Sequence, residues 1–321
     1  MTTVLALRAL GLGDAMTGIP ALRGLRRAHP GARLVLAAPA GVGGFLASHG
    51  VVDEVVDTAG LEPLRWSGRV PDVAVNLHGR GPQSHRLLRA LEPRRLVAFG
   101  CPEAGVDGPP WPVHTHEVDR WCGLVRWAGG ECSPDDLRLS GPPRGSHVVV
   151  HPGAASGSRR WPPERWAAVG AHLAARGLPV LVTGVAAEAG LCAQVAAAHP
   201  AVRDTCGSLS LRQLADLVGS AALVLCGDTG ISHVATAFGT PSMLLFGPVS
   251  PSEWGPRIDT DRHTVLWQPR ADDPPGDPHA SDVDVRLVRI QVQEVVAAAD
   301  AQLASMAAGP RVVSSRPARP S

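Results

Sequence analysis

The sequence predicts an α/β protein built from two doubly wound domains that face each other across a cleft. Three observations carry this. Short apolar runs of strand length alternate with helically spaced segments along most of the chain. A Pro- and Gly-rich stretch, Ser133 to Gly145, interrupts that alternation near its middle. The 321 residues also suffice for two domains of ordinary size. The expected domains are residues 1–140 and 146–306, with the last helix a candidate to pack back toward the first domain. The tail 307–321 is rich in Pro, Ser and Arg and is expected to be disordered.

In order, Val4–Ala9 reads as a strand leading into Gly11-Leu12-Gly13-Asp14. A helical segment interrupted at Pro20 runs to Ala28, where His29-Pro30-Gly31 stops it. Further strands fall at Arg33–Ala38, Val51–Val56, Asp72–Leu77 and Arg95–Phe99, with helices at Gly41–His49 and Ser84–Leu91. Gly100–Pro112 is a loop. His116–Ala128 is a helix, because Val118, Trp121, Cys122 and Val125 recur near the helical period. After the linker come strands at His147–Val150, Pro179–Thr183, Val202–Cys206, Ala221–Cys226 and Ser242–Phe246. The helices between them start at Pro163, a favoured first helical residue, at Ala186, and at Leu211 behind the capping Ser210. Asp272–Pro278 is a loop, and Asp284–Met306 one long helix.

Composition excludes several classes. A net charge of +1 with no isolated basic run argues against a nucleic-acid partner. No apolar stretch reaches the ~20 residues that span a bilayer, and the N-terminus lacks a signal-peptide layout. All 30 basic residues are Arg, so Arg is read where relatives carry Lys. The six cysteines show no C-x-x-C pair; Cys192, Cys206 and Cys226 read as small buried side chains in a reduced, cytoplasmic setting. His114-x-His116 lacks further ligands at metal-site spacing, so no metal is expected.

Three strand-to-helix loops are unusually polar. Gly11-Leu12-Gly13-Asp14 lacks the third glycine of a dinucleotide fingerprint, and Asp14 suits a helix cap or a general base at the cleft edge. His151 to Pro163 sets Ser156, Ser158, Arg159 and Arg160 just before a helix, a diphosphate clamp or a solvated loop. In Leu225 to Ala235, Asp228 either caps the helix or accepts from ligand hydroxyls. Thr229 and Gly230 offer backbone N–H groups to an anion, and His233 follows one turn later on the same face.

Together these segments resemble glycosyltransferase family 9. LRALGLGDAMTGIPALRGLRRAHPGARLVLAAP is similar to the family's opening. VVVHPGAASGSRRWPPERW is similar to its [KR]-x-W-P-x-E-x-[WF] signature in register-shifted form. VLCGDTGISHVATAFGTPSMLLFGP is similar to its D-T-G-x-x-H-x-A-x-A-x-G-x-P signature, and HTHEVDRWCGLVRWAGG to the helix closing its N-terminal half.

The resemblance implies a GT-B fold, metal-independent inverting sugar transfer, and a nucleotide-diphospho-sugar donor (ADP-heptose in the characterised branch). It implies Asp14 as catalytic base, and donor contacts from Ser156, Arg159, Arg160, Asp204, Asp228, Thr229, Gly230 and His233. Arg160 is read as the donor-phosphate cation. Gly13, Asn76 and His78 are expected near the acceptor, a glycan, glycolipid or small molecule. No cofactor and no nucleic acid is expected. The implied location is cytoplasmic, with peripheral contact at the inner face of the plasma membrane for a lipid acceptor. The rival readings are a GT-B-like sugar-nucleotide epimerase and a nucleotide-sugar-binding protein without turnover.

Overall fold

A computed structural model describes residues 2–307. The first half runs β1 (Thr3–Leu7), α1 (Leu12–Thr17), α2 (Ile19–Ala28), β2 (Arg33–Ala38), α3 (Ala40–Ser48), β3 (Glu54–Asp57), β4 (Val73–Asn76), α4 (Gln83–Arg89), β5 (Arg95–Val97) and α5 (Glu117–Trp127). The second runs β6 (Val148–His151), α6 (Pro163–Ala175), β7 (Val180–Val182), α7 (Ala189–Ala196), β8 (Val202–Asp204), α8 (Leu211–Ser220), β9 (Leu223–Gly227) and α9 (Gly230–Ala237). It continues through β10 (Ser242–Leu245), α10 (Pro251–Trp254), β11 (His263–Leu266), α11 (Val285–Arg289) and α12 (Val292–Ala307).

The strands form two all-parallel sheets, ordered β3-β2-β1-β4-β5 and β11-β10-β9-β6-β7-β8. Such sheets are covered on both faces, which is why β1, β2, β6 and β9 read as nearly unbroken apolar runs. Strand order reverses beside β1 in the first sheet and between β6 and β9 in the second. Open parallel sheets collect ligands at such switch points, at the carboxyl ends of the strands.

The opening helical segment divides where Gly18 follows α1 and Pro20 takes an early position in α2. A Cβ on residue 18 would lie 2.7 Å from Arg8 Cδ, so glycine there leaves room for a buried arginine beneath the break. The linker is docked rather than free. Leu137 and Leu139 are buried, Leu139 N–H donates to Ala237 O at 2.8 Å, and Arg23 donates to the carbonyls of Asp136 and Arg138.

Three expectations are corrected. The expected single helix Asp284–Met306 divides at Ile290-Gln291, because Trp161 and Arg165 donate to Ile290 O and so draw that carbonyl out of a continuous helix. Asp284 and Glu294 then accept N–H groups at the two new starts. The last helix packs on its own half and not toward the first, since Val295 and Ala299 join the core that holds Trp166 and Leu173. Cys206 is half-buried rather than core. Two features are additional to the sequence reading: β11 closes the second sheet, and Cys122 pairs with Cys132 in a disulfide, Cα–Cα 5.2 Å. Of the tail expected at 307–321, residues 308–321 lie outside the described residues.

Candidate active site

The first turn of α1 and the start of α9 meet face to face. A Cβ on Gly13 would stand 2.9 Å from His233 Cδ2 and 3.3 Å from Gly230 Cα. One on Gly230 would stand 3.1 Å from Gly13 N. Two glycines therefore let the loop after β1 and the turn after β9 close on one cleft of about 410 Å³. Gly13, Asp14, Arg159, Asp228, Thr229, Gly230 and His233 all line it. Ala155, Val249, Trp254, Pro278 and His279 complete the wall.

Asp14 sits in the first turn of α1, but Gly11 is the N-cap and no side-chain bond caps the helix. Its carboxylate, 31% exposed, therefore faces the cleft instead of serving the backbone. Burial raises its pKa; Arg8 opposes that rise, Glu117 adds to it, and Arg159 opposes it more weakly. Behind it, Arg8 is 1% exposed and donates to the carbonyls of Asp14 and Leu77, to Thr17 Oγ1 at 2.9 Å and to Glu117 Oε1 at 3.0 Å. Arg8 Nη2 is 3.8 Å from Asp14 Oδ1. Glu117 in turn accepts from Trp121 Nε1 at 2.6 Å and from Arg120, and these partners, with Arg8, hold its pKa down against burial. The sequence reading assigns no role to Arg8 and names Glu117 only beside His114-x-His116, a metal pattern without further ligands. The available signal was a lone charge ending an apolar strand and a lone acid opening an apolar helix face.

Across the cleft, Thr229 is the N-cap of α9 without a side-chain cap bond, and its Oγ1 is buried with no partner among the described residues. Asp228 is therefore not a cap either. Burial pushes its pKa up to about 6, with Arg159 opposing and Asp14 reinforcing the rise. Arg159 Nη1 reaches Asp228 O at 3.3 Å and Asp228 Oδ2 at 3.9 Å. This sets a guanidinium beside the free N–H groups at the start of α9, an arrangement suited to an anion. His233 is pushed down to about 4, chiefly by burial, so it is neutral near pH 7, its ring edge-on to Trp254.

Several expected site residues lie elsewhere. The cation in the cleft is Arg159, not Arg160, whose Nε donates to Ala154 O at 2.8 Å within its own loop. Ser156 is half-buried and precedes the turn Gly157–Arg159 without lining the cleft. Asp204 ends β8, the outer strand of the second sheet, with two strands between it and β9. Asn76 is fully buried: its Nδ2 lies 3.0 Å from both Gly79 O and Ser84 Oγ, and its Oδ1 accepts from His78 N. Both ends of that amide fix the loop after β4, so none of it is free for an acceptor. His78 is half-buried near Arg8, outside the cleft lining, and burial and that charge lower its pKa. His116 caps α5 through Nδ1 and bonds Gly255 O at 2.8 Å through Nε2, which separates it from the exposed His114.

The chain is similar to several known proteins. Residues 135–274 match the family model described as glycosyltransferase family 9 (heptosyltransferase). Lipooligosaccharide heptosyltransferase 2 of Haemophilus influenzae is 29% identical over 147 residues, a match spanning 42% of this chain and 42% of that relative. Lipopolysaccharide heptosyltransferase 1 of Pseudomonas aeruginosa is 26% identical over 292 residues, covering 78% of this chain and 80% of the relative. The structure of E. coli ADP-heptose lps heptosyltransferase II superposes with a TM-score of 0.75 at 20% identity, covering 96% of this chain and 100% of that one. A glycosyl transferase family 9 structure from Veillonella parvula gives 0.79 at 19% identity, covering 95% and 98%. These two likenesses identify the fold as GT-B. The chain is thus similar to glycosyltransferase family 9 through residues 135–274, to one heptosyltransferase along most of its length, and to solved family structures in fold.

Proposed function

We propose that this protein is an inverting, metal-independent glycosyltransferase. It moves a sugar, heptose from ADP-heptose being the favoured one, to an acceptor hydroxyl of a glycan, glycolipid or secondary metabolite. The observation that supports this most is the convergence of Asp14, Arg159 and the start of α9 on one cleft. Asp14 takes the proton of the acceptor hydroxyl as its oxygen attacks the anomeric carbon. The bond from that carbon to the diphosphate oxygen breaks on the opposite face, which inverts the centre. Arg159 and the N–H groups of Thr229 and Gly230 receive the charge that grows on the leaving nucleoside diphosphate. Because that charge is met by protein groups, the rate is expected to be indifferent to added Mg²⁺ or Mn²⁺.

ADP-heptose is favoured because the structural neighbour E. coli heptosyltransferase WaaC is described with ADP and with an ADP-linked fluoroheptose. No helix among the described residues is long and apolar enough to cross a membrane, so a lipid acceptor would be met by peripheral contact. The test is a thermal-shift panel of ADP-, GDP-, UDP- and dTDP-linked sugars, followed by transfer assays with the binder. ADP-heptose should raise the melting midpoint, and Asp14→Asn should keep that shift while losing about 10²- to 10⁴-fold in transfer. No shift with any nucleotide sugar, or unchanged turnover in the Asp14 variant, would sink this reading. A new sugar nucleotide from donor alone would favour an epimerase instead.

A further inference from the structure

The outer end of the second sheet holds a cluster of two thiols and a carboxylate outside the lining of the cleft that holds Asp14. There the chain after β7 and the chain after β8 run side by side, and α7 returns over both. Cys192 on α7, Asp204 at the end of β8 and Cys206 just beyond it bring a sulfur, a carboxylate oxygen and a second sulfur within 4.8 Å of one another. The hollow between the two sulfurs exists because residue 184 is glycine. A Cβ there would stand 2.6 Å from Cys192 Sγ, 3.2 Å from Cys206 Sγ and 3.1 Å from Glu188 Oε2. At present the thiols lie near carbonyls, Cys192 Sγ 3.6 Å from Thr183 O and Cys206 Sγ 3.1 Å from Val185 O. Asp204 accepts from Cys206 N through Oδ1 at 2.8 Å.

We propose that Cys192, Cys206 and Asp204 bind one zinc-type divalent cation, with a water molecule in the fourth position on the exposed side of Asp204. Two sulfurs and one carboxylate suit a borderline-soft ion that accepts both atom types, whereas magnesium and calcium take oxygen ligands. The balance is simple: each thiol releases one proton to solvent as its metal–sulfur bond forms, and no electron moves. Coordination to the ion itself drives that deprotonation. Glu188 adds negative charge at the edge of the hollow. The three ligands lie outside the lining of the cleft that holds Asp14 and Arg159, and the ion acts as a staple between two loops of the second half.

The chain, purified under reducing conditions, loaded with zinc and freed of excess metal, should retain about one zinc per chain by elemental analysis. Its melting midpoint should exceed that of the metal-free chain. Cys192→Ser and Cys206→Ser should each lose both the metal and the shift. Asp204→Asn, a change at an exposed position, should give zinc up to a chelator faster than the parent. Cobalt loading of the unmutated chain supplies a readout that needs no variant: a sulfur-to-metal charge-transfer band is expected. Zinc well below stoichiometric in the reduced parent chain, zinc unchanged in Cys192→Ser, or cobalt uptake without that band would each overturn the proposal.

Discussion

Asp14 and Asp228 face one cleft, yet their surroundings give them different work. Asp14 has Arg8 behind it and an exposed edge, so it can meet an incoming hydroxyl. Asp228 is more deeply buried and holds its proton up to about pH 6. A raised folded-state pKa means the native chain binds more protons than the unfolded chain between that value and the ordinary carboxylate range. The stability it contributes is therefore fully present at low pH and is lost as pH rises through about 6. The same charge opposes a diphosphate on Arg159. Affinity for ADP-heptose should accordingly increase as pH falls from 7 to below 6, and Asp228→Asn should flatten the profile; titration calorimetry across that range checks the sign. At the neighbouring loop, Arg159→Ala should weaken ADP binding by roughly 10- to 100-fold, the scale of lost hydrogen bonds to a charged group. Arg160→Ala should change it little, because that guanidinium serves Ala154 O. Equal losses in both variants would contradict the assignment.

At the scale of elements, the cleft depends on how closely α1 and α9 approach. The contact is built on Gly13 and Gly230, where a side chain on either would strike the opposing element. Gly13→Ala should push His233 or α9 back and cost about 1–3 kcal/mol of stability, as overpacking does in a filled contact. Urea denaturation measures that cost, and a raised KM for donor would report the widened cleft. Below this contact, Arg8 ties β1 to α5 through Glu117, with the guanidinium 5.0 Å from the Trp121 ring centroid. Removing one partner of such a buried pair leaves an uncompensated charge, so the pair holds the loop that carries Asp14 in one arrangement.

At the scale of the molecule, the two sheets are joined by one apolar layer. Met16 and Phe45 of the first half share a core cluster with Val218, Ile231, Val234 and Phe238 of the second. The linker adds Leu137 and Leu139 to that layer instead of spanning open solvent. Contact this extensive couples the halves, so calorimetry of the chain without ligand should show a single unfolding transition. Two resolved transitions would mean that the halves unfold independently.

The sequence by itself determined the alternation, the two halves and the turn Asp228-Thr229-Gly230, because periodicity and turn chemistry act over a few neighbouring residues. Asp14 was legible for the same reason, lying in a strand-to-helix loop of known form. Which of Arg159 and Arg160 enters the cleft was not legible, since adjacent side chains diverge and only the fold of the loop fixes which way each turns. By position Asn76 reads as an acceptor contact, but its amide is enclosed by the loop that follows it. Arg8 with Glu117, and Cys192 with Asp204 and Cys206, were decided only by tertiary structure. Packing brings such groups together across the chain, and no local pattern records a meeting between residues so far apart.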